Sequence, residues 1–328
     1  MVSDPPGSFW PTELQRLLLQ AAFLPGRAAA AAWEACRGRL GLDAQPWEII
    51  ELLPLAQRAL AELGVEDGAW SRVVGMRRQQ WYKNQLLLAP LAQVVDTLES
   101  AGIETVVVGH AAAALRYADP SLRAVPRADV VVAHVDFPGA QALVAGAGWI
   151  GALHDGGRAM SGLAEGWLLP ASWLSDSSHS AEVTGVRIAL PCPSDQLILV
   201  AIDGAQWRAP RSARWVADAA TLLQGFGDDI DWDRLVERAC RLRGATPVLY
   251  LLRYLEDVLQ CDVPNQAQRA LRAGRQGYDA LAYRAAGRSW SALQGRARTA
   301  AAVMRASRRA ATEWSQPRSL PPTSSPSR

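Results

Sequence analysis

The chain has 328 residues, a formal net charge of +2, 49% hydrophobic and 20% charged residues. That balance is ordinary for globular domains and excludes disorder over the whole length. No apolar run reaches the roughly 18 residues needed to span a bilayer, so no membrane partner is expected.

In chain order, residues 8–66 read as helices. Leu14, Leu17, Leu18 and Ala21 recur at helical spacing, as do Trp33 and Cys36, then Leu52, Leu53, Leu55, Leu60 and Leu63. Gly64 suits a helix stop. Residues 69–100 form one long helical stretch through Trp81, Leu86, Leu88, Leu91, Val94 and Leu98, ended by Ala101 and Gly102. The pattern then changes. Thr105 to Val108 is a β-branched run closed by Gly109, which reads as a buried strand and a tight turn. Residues 111–116 read as a helix, residues 130–132 as a second strand and residues 139–146 as another helix. A strand is expected to begin at 149–151. Residues 154–182, rich in Gly, Ser and Asp, read as loops, and residues 183–190 as one strand around Gly185. Helices are expected at 194–204, 211–224, 232–242 and 245–259, with Pro264 closing the block. Residues 266–312 are Ala/Arg-rich and helix-prone. Residues 315–328, rich in Ser, Pro and Thr, read as disordered. The fold expected is α/β (α+β): a helical region at 8–100, a small α/β core at 101–192, a second helical region at 193–265 and a basic tail at 266–328.

Charge is unevenly placed. There is one lysine, Lys83, against 33 arginines, a genome-composition bias with no functional content. Residues 266–328 carry 12 Arg against Asp279 and Glu313, a net of +10, which leaves about −8 on the rest. A basic segment on an acidic body is a candidate surface for nucleic acid or an acidic partner. The four cysteines, Cys36, Cys192, Cys240 and Cys261, form no CxxC pair, so neither a zinc knuckle nor a disulfide framework is indicated. Residues 1–7 lack a basic and then apolar leader. Free thiols and no leader give a cytoplasmic expectation.

The unit between Val106 and Val132 is where chemistry is expected. A glycine ending a buried strand lets the backbone turn sharply and approach a ligand. A helix opening just after it offers N–H groups to a phosphate. A carboxylate at the next strand's start, Asp129, is placed to hold a divalent metal beside that phosphate. Other candidates are weaker. His134, His154 and His179, with Asp155, Asp176 and Glu182, match no standard metal spacing. Ser172 lies in no G-x-S-x-G elbow. Trp207 with Arg208, Arg211 and Arg214 is a basic-aromatic cluster suited to stacking on a base or to simple surface packing.

Residues 101–132 read AGIETVVVGHAAAALRYADPSLRAVPRADVVV. This stretch resembles the uncharacterised nucleotidyltransferase family of the DNA-polymerase-β-like superfamily, whose members carry an LKG turn, a Y-x-DP-x-x-R segment and a D-x-D strand. Further similarities are Leu52-Leu53-Pro54-Leu55, Asn84, Asp203-Gly204-Ala205, Arg214-Trp215, Asp218, Asp231-Trp232-Asp233 and Arg238-Ala239. Together they extend over about residues 10–265. The resemblance implies a small mixed-sheet nucleotidyltransferase core flanked by helical regions. It also implies transfer of a nucleotidyl group from an NTP to an acceptor (small molecule, peptide or protein) with Mg²⁺. On that basis Asp129 is the expected metal-binding and catalytic residue. Gly109, His110, Arg123 and Arg127 are the expected nucleotide-binding residues.

The sequence also departs from the pattern. Arg127 stands where the family places its first metal aspartate, and Val108 replaces the lysine of the turn. Asp203 replaces a downstream histidine. Leu168 to Trp173, where a third carboxylate is expected, contains none, and nothing assigns the role to the nearby Glu165, Asp176 or Glu182. Arg127 and Asp129 lie two apart on one strand face, spaced to pair with each other. These departures carry a second reading: a catalytically silent binding or scaffold protein that holds a nucleotide, peptide or protein partner.

Overall fold

The computed structural model describes residues 10–41, 45–156, 179–204, 212–242 and 244–274. All belong to the compact unit Met1–Ser289; a second unit, Trp290–Arg328, lies outside the described residues. Helix α1 (Glu13–Phe23) starts at a capping box, in which Thr12 and Gln15 satisfy each other's backbone N–H. It buries Leu14, Leu17, Leu18 and Ala21, the face read from spacing. Helices α2 (Gly26–Arg37), α3 (Trp47–Ile50) and α4 (Leu53–Glu62) follow. Helix α5 (Trp70–Ser100) has 31 residues and runs through Pro90. At 1.5 Å per residue it is about 46 Å long.

Strand β1 (Thr105–Val108) leads into α6 (Gly109–Ala114), and β2 (Asp129–Val132) leads through α7 (Phe137–Val144) to β3 (Leu153–Asp155). β1 pairs antiparallel with β2, setting Val108 opposite Asp129. β3 pairs parallel with β2, setting Val131 opposite His154. The result is a three-stranded mixed sheet in the order β1-β2-β3. The valine runs are buried on both faces, which is why β1 and β2 read as apolar runs and not as alternations.

Three local expectations are corrected. Residues 183–190 do not form one strand. They belong to a hairpin of β4 (His179–Val183) and β5 (Val186–Leu190). Thr184 and Gly185 turn it with φ of 50° and 83°, and two left-handed residues match a two-residue hairpin loop. The strand expected at 149–151 begins instead at Leu153. Accordingly His154, Asp155 and residues 179–182, read as loop, are sheet residues.

The chain then returns to helix: α8 (Pro193–Gly204), α9 (Arg214–Phe226), α10 (Trp232–Arg241), α11 (Ala245–Leu259) and α12 (Asn265–Gly274). Asp231 caps α10 by accepting from Arg234 N at 2.9 Å. Two helical stretches far apart in sequence share one apolar core. Leu18, Trp33 and Leu60 pack with Leu197, Val216, Leu235 and Leu252. A second core joins the later half of α5 (Leu91, Leu98) to Val107, Val130, Val132 and Ile188. On the opposite sheet face Val106, Val108 and Val131 meet Leu199 of α8. This small apolar contact seats α8 on the sheet and places the site. Among the described residues no helix is long and apolar enough to cross a membrane. The fold is a mixed α/β fold in which helix predominates.

Candidate functional site

Strand alternation puts Asp129, Val131 and His154 on the sheet face that meets α8. Gly109 follows β1 with φ +65°, a conformation that favours glycine. A Cβ there would lie 3.4 Å from Asp129 Oδ2. The turn therefore runs directly over the carboxylate, as the glycine's position after β1 predicts. Beside it opens a cavity of about 270 Å³, lined by Gly109, His110, Arg123, Asp203, Arg214 and Asp218 among others. Its size is near the lower end of small-molecule pockets, about 300 Å³. Helix α6 has six residues, so it offers no long helix dipole, and the charges of the lining are the side chains of Arg123 and Arg214 beside Glu48, Glu51, Asp203 and Asp218.

Asp129 is buried. Its Oδ2 accepts from Arg127 Nε at 2.8 Å and its Oδ1 from Ala152 N at 3.1 Å. His154 Nε2 lies 3.7 Å from Oδ1, a close approach beyond hydrogen-bond length. Burial works against ionisation of Asp129, but His154 and Arg127 outweigh it and hold the carboxyl below its ordinary value. The Arg127 side chain is 44% exposed, against 5% for Asp129. The pair thus has an inner carboxylate and an outward guanidinium.

A second buried cluster borders the cavity. Arg123 donates from Nη2 to Asp218 Oδ2 at 2.7 Å and from Nε to Oδ1 at 3.2 Å. Its Nη1 donates to Ala124 O at 2.5 Å. Tyr117 Oη donates to Asp218 Oδ1 at 2.8 Å. Glu51 accepts from Ser212 Oγ at 2.5 Å and pairs with Arg214. His110 is pushed down to about 4, by burial first and then by Arg123. Its imidazole is therefore neutral near pH 7, a hydrogen-bonding group rather than a cation. Asp203 is pushed up to about 6 by burial, against the pull of Arg123.

The structure thus brings four of the five expected site residues together directly. Gly109 lies close enough to Asp129 that an added Cβ would meet its carboxylate, Arg127 bonds that carboxylate, and His110 lies in the lining next to Gly109. Arg123 lines the same cavity, with three of its N–H groups bonded to Asp218 and Ala124. Sequence reading missed the pairing of Arg123 with Asp218 and of Glu51 with Arg214. Its signals were individual: each residue lies in or beside a matching motif, but partners 95 and 163 positions apart leave no local trace. Asp119 to Leu122, which precede Arg123, prove to be architecture. Asp119 accepts from Ser121 N at 2.8 Å and pairs with Arg77 at 2.6 Å. Asn84, fully buried, donates to Pro120 O and Arg123 O and accepts from Val125 N. His134 pairs with Asp155 at 2.8 Å. Glu182 is exposed, opposite Arg187 in the hairpin. Glu165, Leu168 to Trp173, Asp176, Trp207, Arg208 and Arg211 lie outside the described residues.

Among the described residues the donor set does not fit a two-metal centre. Such a centre needs bridging carboxylates. Here both oxygens of Asp129 hold protein donors, and no group of three or more His, Cys, Asp or Glu suited to a metal occurs among the described residues. At about 4 Å and an effective dielectric near 20, each unit charge is worth roughly 4 kcal/mol. An arginine in place of a carboxylate changes the local charge by two units, which opposes a cation by several kcal/mol.

Residues 161–260 match the model of a family described as uncharacterised nucleotidyltransferase, which supports a nucleotidyltransferase family assignment for this chain. The matched stretch includes Asp203, Arg214 and Asp218 of the cavity; Gly109, Arg127 and Asp129 precede it. Neither the curated proteins nor the solved structures searched yield a match.

Proposed function

We propose that the protein binds a nucleoside triphosphate on the sheet face beneath α8 and transfers its nucleotidyl group to an acceptor. Nucleotidyl transfer is the activity of the family at its coarsest. The finer assignments rest on one observation: the Gly109 turn lies over Asp129 and opens beside a cavity holding His110 and Arg123. In this reading the phosphates lie along the turn, where backbone can approach closely. Arg127 and Arg123 supply positive charge, and neutral His110 supplies a hydrogen bond. Asp203 lies in the cavity, where the acceptor enters. Small molecules, peptides and proteins remain the acceptor classes. All four cysteines are free thiols, in keeping with a reducing cytoplasm.

The test is calorimetric titration of the full chain with ATP, GTP, CTP and UTP, with and without Mg²⁺. Saturable binding of at least one is expected, and Arg123→Ala or His110→Ala should weaken it. No heat with any nucleotide in either condition overturns the proposal.

A second reading rests on the Arg127–Asp129 ion pair, which stands where the family resemblance expects a metal-binding carboxylate pair. In this reading the fold keeps a nucleotide, peptide or protein partner without turning it over. Bound nucleotide recovered unchanged after long incubation with candidate acceptors would favour it. Release of pyrophosphate would exclude it. The basic tail expected at 266–328 is narrowed to 275–328, because Ala267, Gln268 and Leu271 are buried in α12, and that stretch is proposed as a contact for nucleic acid or an acidic partner. Deleting residues 275–328 spares Leu271, which is buried in the helical core. An unchanged salt slope of nucleic-acid binding after that deletion would remove this role.

A further inference from the structure

We propose that the guanidinium of Arg127, held by Asp129, is a built-in substitute for a divalent cation, so that triphosphate binding in this site needs no metal. The inference rests on the nucleotide-binding reading above and goes further: it assigns the ligand's counter-charge to one side chain. Three observations carry it. Asp129 is engaged at both oxygens, by Arg127 Nε at 2.8 Å and Ala152 N at 3.1 Å. Each oxygen thus carries one protein donor, and the nearest of these is a cation, which opposes a metal ion at the same carboxylate. Next, Arg127 uses Nε for this bond, and Asp129 is its one hydrogen-bond partner among the described residues. Its two Nη groups are left on a side chain 44% exposed, and a planar guanidinium presenting them suits a phosphate. Finally, the pair is fixed in place. Asp129 starts β2 opposite Val108, and the turn at Gly109 passes so near its carboxylate that a Cβ there would lie 3.4 Å from Oδ2. Arg127 is thereby positioned at the mouth of the turn, where the phosphates are read to lie. Asp129 acts as a positioning residue, and its charge holds the arginine rather than an ion.

The experiment uses the full chain and two probes, ATP and inorganic tripolyphosphate, titrated in EDTA and in Mg²⁺. Wild type is expected to bind with the same Kd in both. Arg127→Ala should weaken binding in EDTA by about 10- to 100-fold, the value of a charge-assisted hydrogen bond. Arg127→Lys, which keeps the charge, should recover part of it. Arg127→Asp places a second carboxylate two residues from Asp129 and should make binding depend on Mg²⁺, a readout that a merely structural role of the pair would not move. Arg127 is partly exposed, so these variants should fold, and a thermal melt checks this. Wild-type binding that vanishes in EDTA overturns the inference while leaving the nucleotide reading intact. Undiminished EDTA binding by Arg127→Ala does the same. No binding by wild type in either buffer overturns both.

Discussion

Arg123 and Asp218 stand 95 residues apart in the chain and meet through two hydrogen bonds, both side chains 5% exposed or less. The pair ties the loop between α6 and β2 to α9, one wall of the cavity. Tyr117 adds a third bond to the same carboxylate, and burial first, then Asp218, pushes the Tyr117 phenol well up. Replacing Asp218 by Ala leaves a buried guanidinium without its counter-ion. Loss of one partner of a buried pair costs about 3–5 kcal/mol. Asp218→Ala should therefore lower unfolding free energy by that amount in urea. A loss under about 1 kcal/mol would show that water reaches the arginine and that the wall is not held by this pair.

Asn84 is expected to matter through three backbone groups at once. It serves Pro120 O, Arg123 O and Val125 N from the middle of α5. A buried backbone group left without a partner costs about 1–3 kcal/mol, so Asn84→Ala should cost on the order of 3 kcal/mol or more. It should also weaken nucleotide binding, because the loop it braces carries Arg123. Unfolding and titration of the same variant check both, and unchanged binding would separate the brace from the site.

Gly109→Ala combines two penalties. The left-handed φ of +65° costs a non-glycine residue about 1–2 kcal/mol. The added methyl also meets Asp129 Oδ2 at 3.4 Å, against the carboxylate that holds Arg127. Stability should fall by about 1–2 kcal/mol, and triphosphate binding should fall further than Tm predicts. Wild-type binding by this variant would move the phosphates elsewhere.

Two groups in the cavity act oppositely on stability between about pH 4 and 6. Asp203 holds its proton more tightly when folded, to about 6 against an ordinary 3.8. Its stabilising contribution is present below about 4 and is lost as pH rises to about 6. His110 holds its proton less tightly when folded, at about 4 against 6.5. Its contribution is complete above 6.5 and is lost as pH falls to about 4. Each slope is at most about 1.4 kcal/mol per pH unit, and the two offset. Relative to wild type, Asp203→Asn should make stability rise with pH across this window, and His110→Gln should make it fall. Denaturant midpoints at several pH values test this; parallel curves for all three proteins would place both groups in contact with water.

The sequence by itself determined the elements whose pattern is local. The leucine spacing of α1 and α4, the unbroken 31 residues of α5 and the valine runs of β1 and β2 are short-range signals set by helix and strand periodicity. The glycine after β1 and the carboxylate at the start of β2 were legible for the same reason, since both belong to one strand–turn–helix–strand unit. Only the tertiary structure decided which distant residues meet. It put helices α1, α2 and α4 on one apolar core with α8 to α11, gave Asp218 to Arg123 and Arg214 to Glu51, and placed Asp203 in the cavity beside His110. It also made strands of His154, Asp155 and residues 179–182, whose composition reads as loop, because pairing with β2 and β5 supplies the backbone hydrogen bonds that their side chains do not announce. Charge pairing and burial are properties of surfaces brought together by the chain's long returns, and no window of sequence contains both sides.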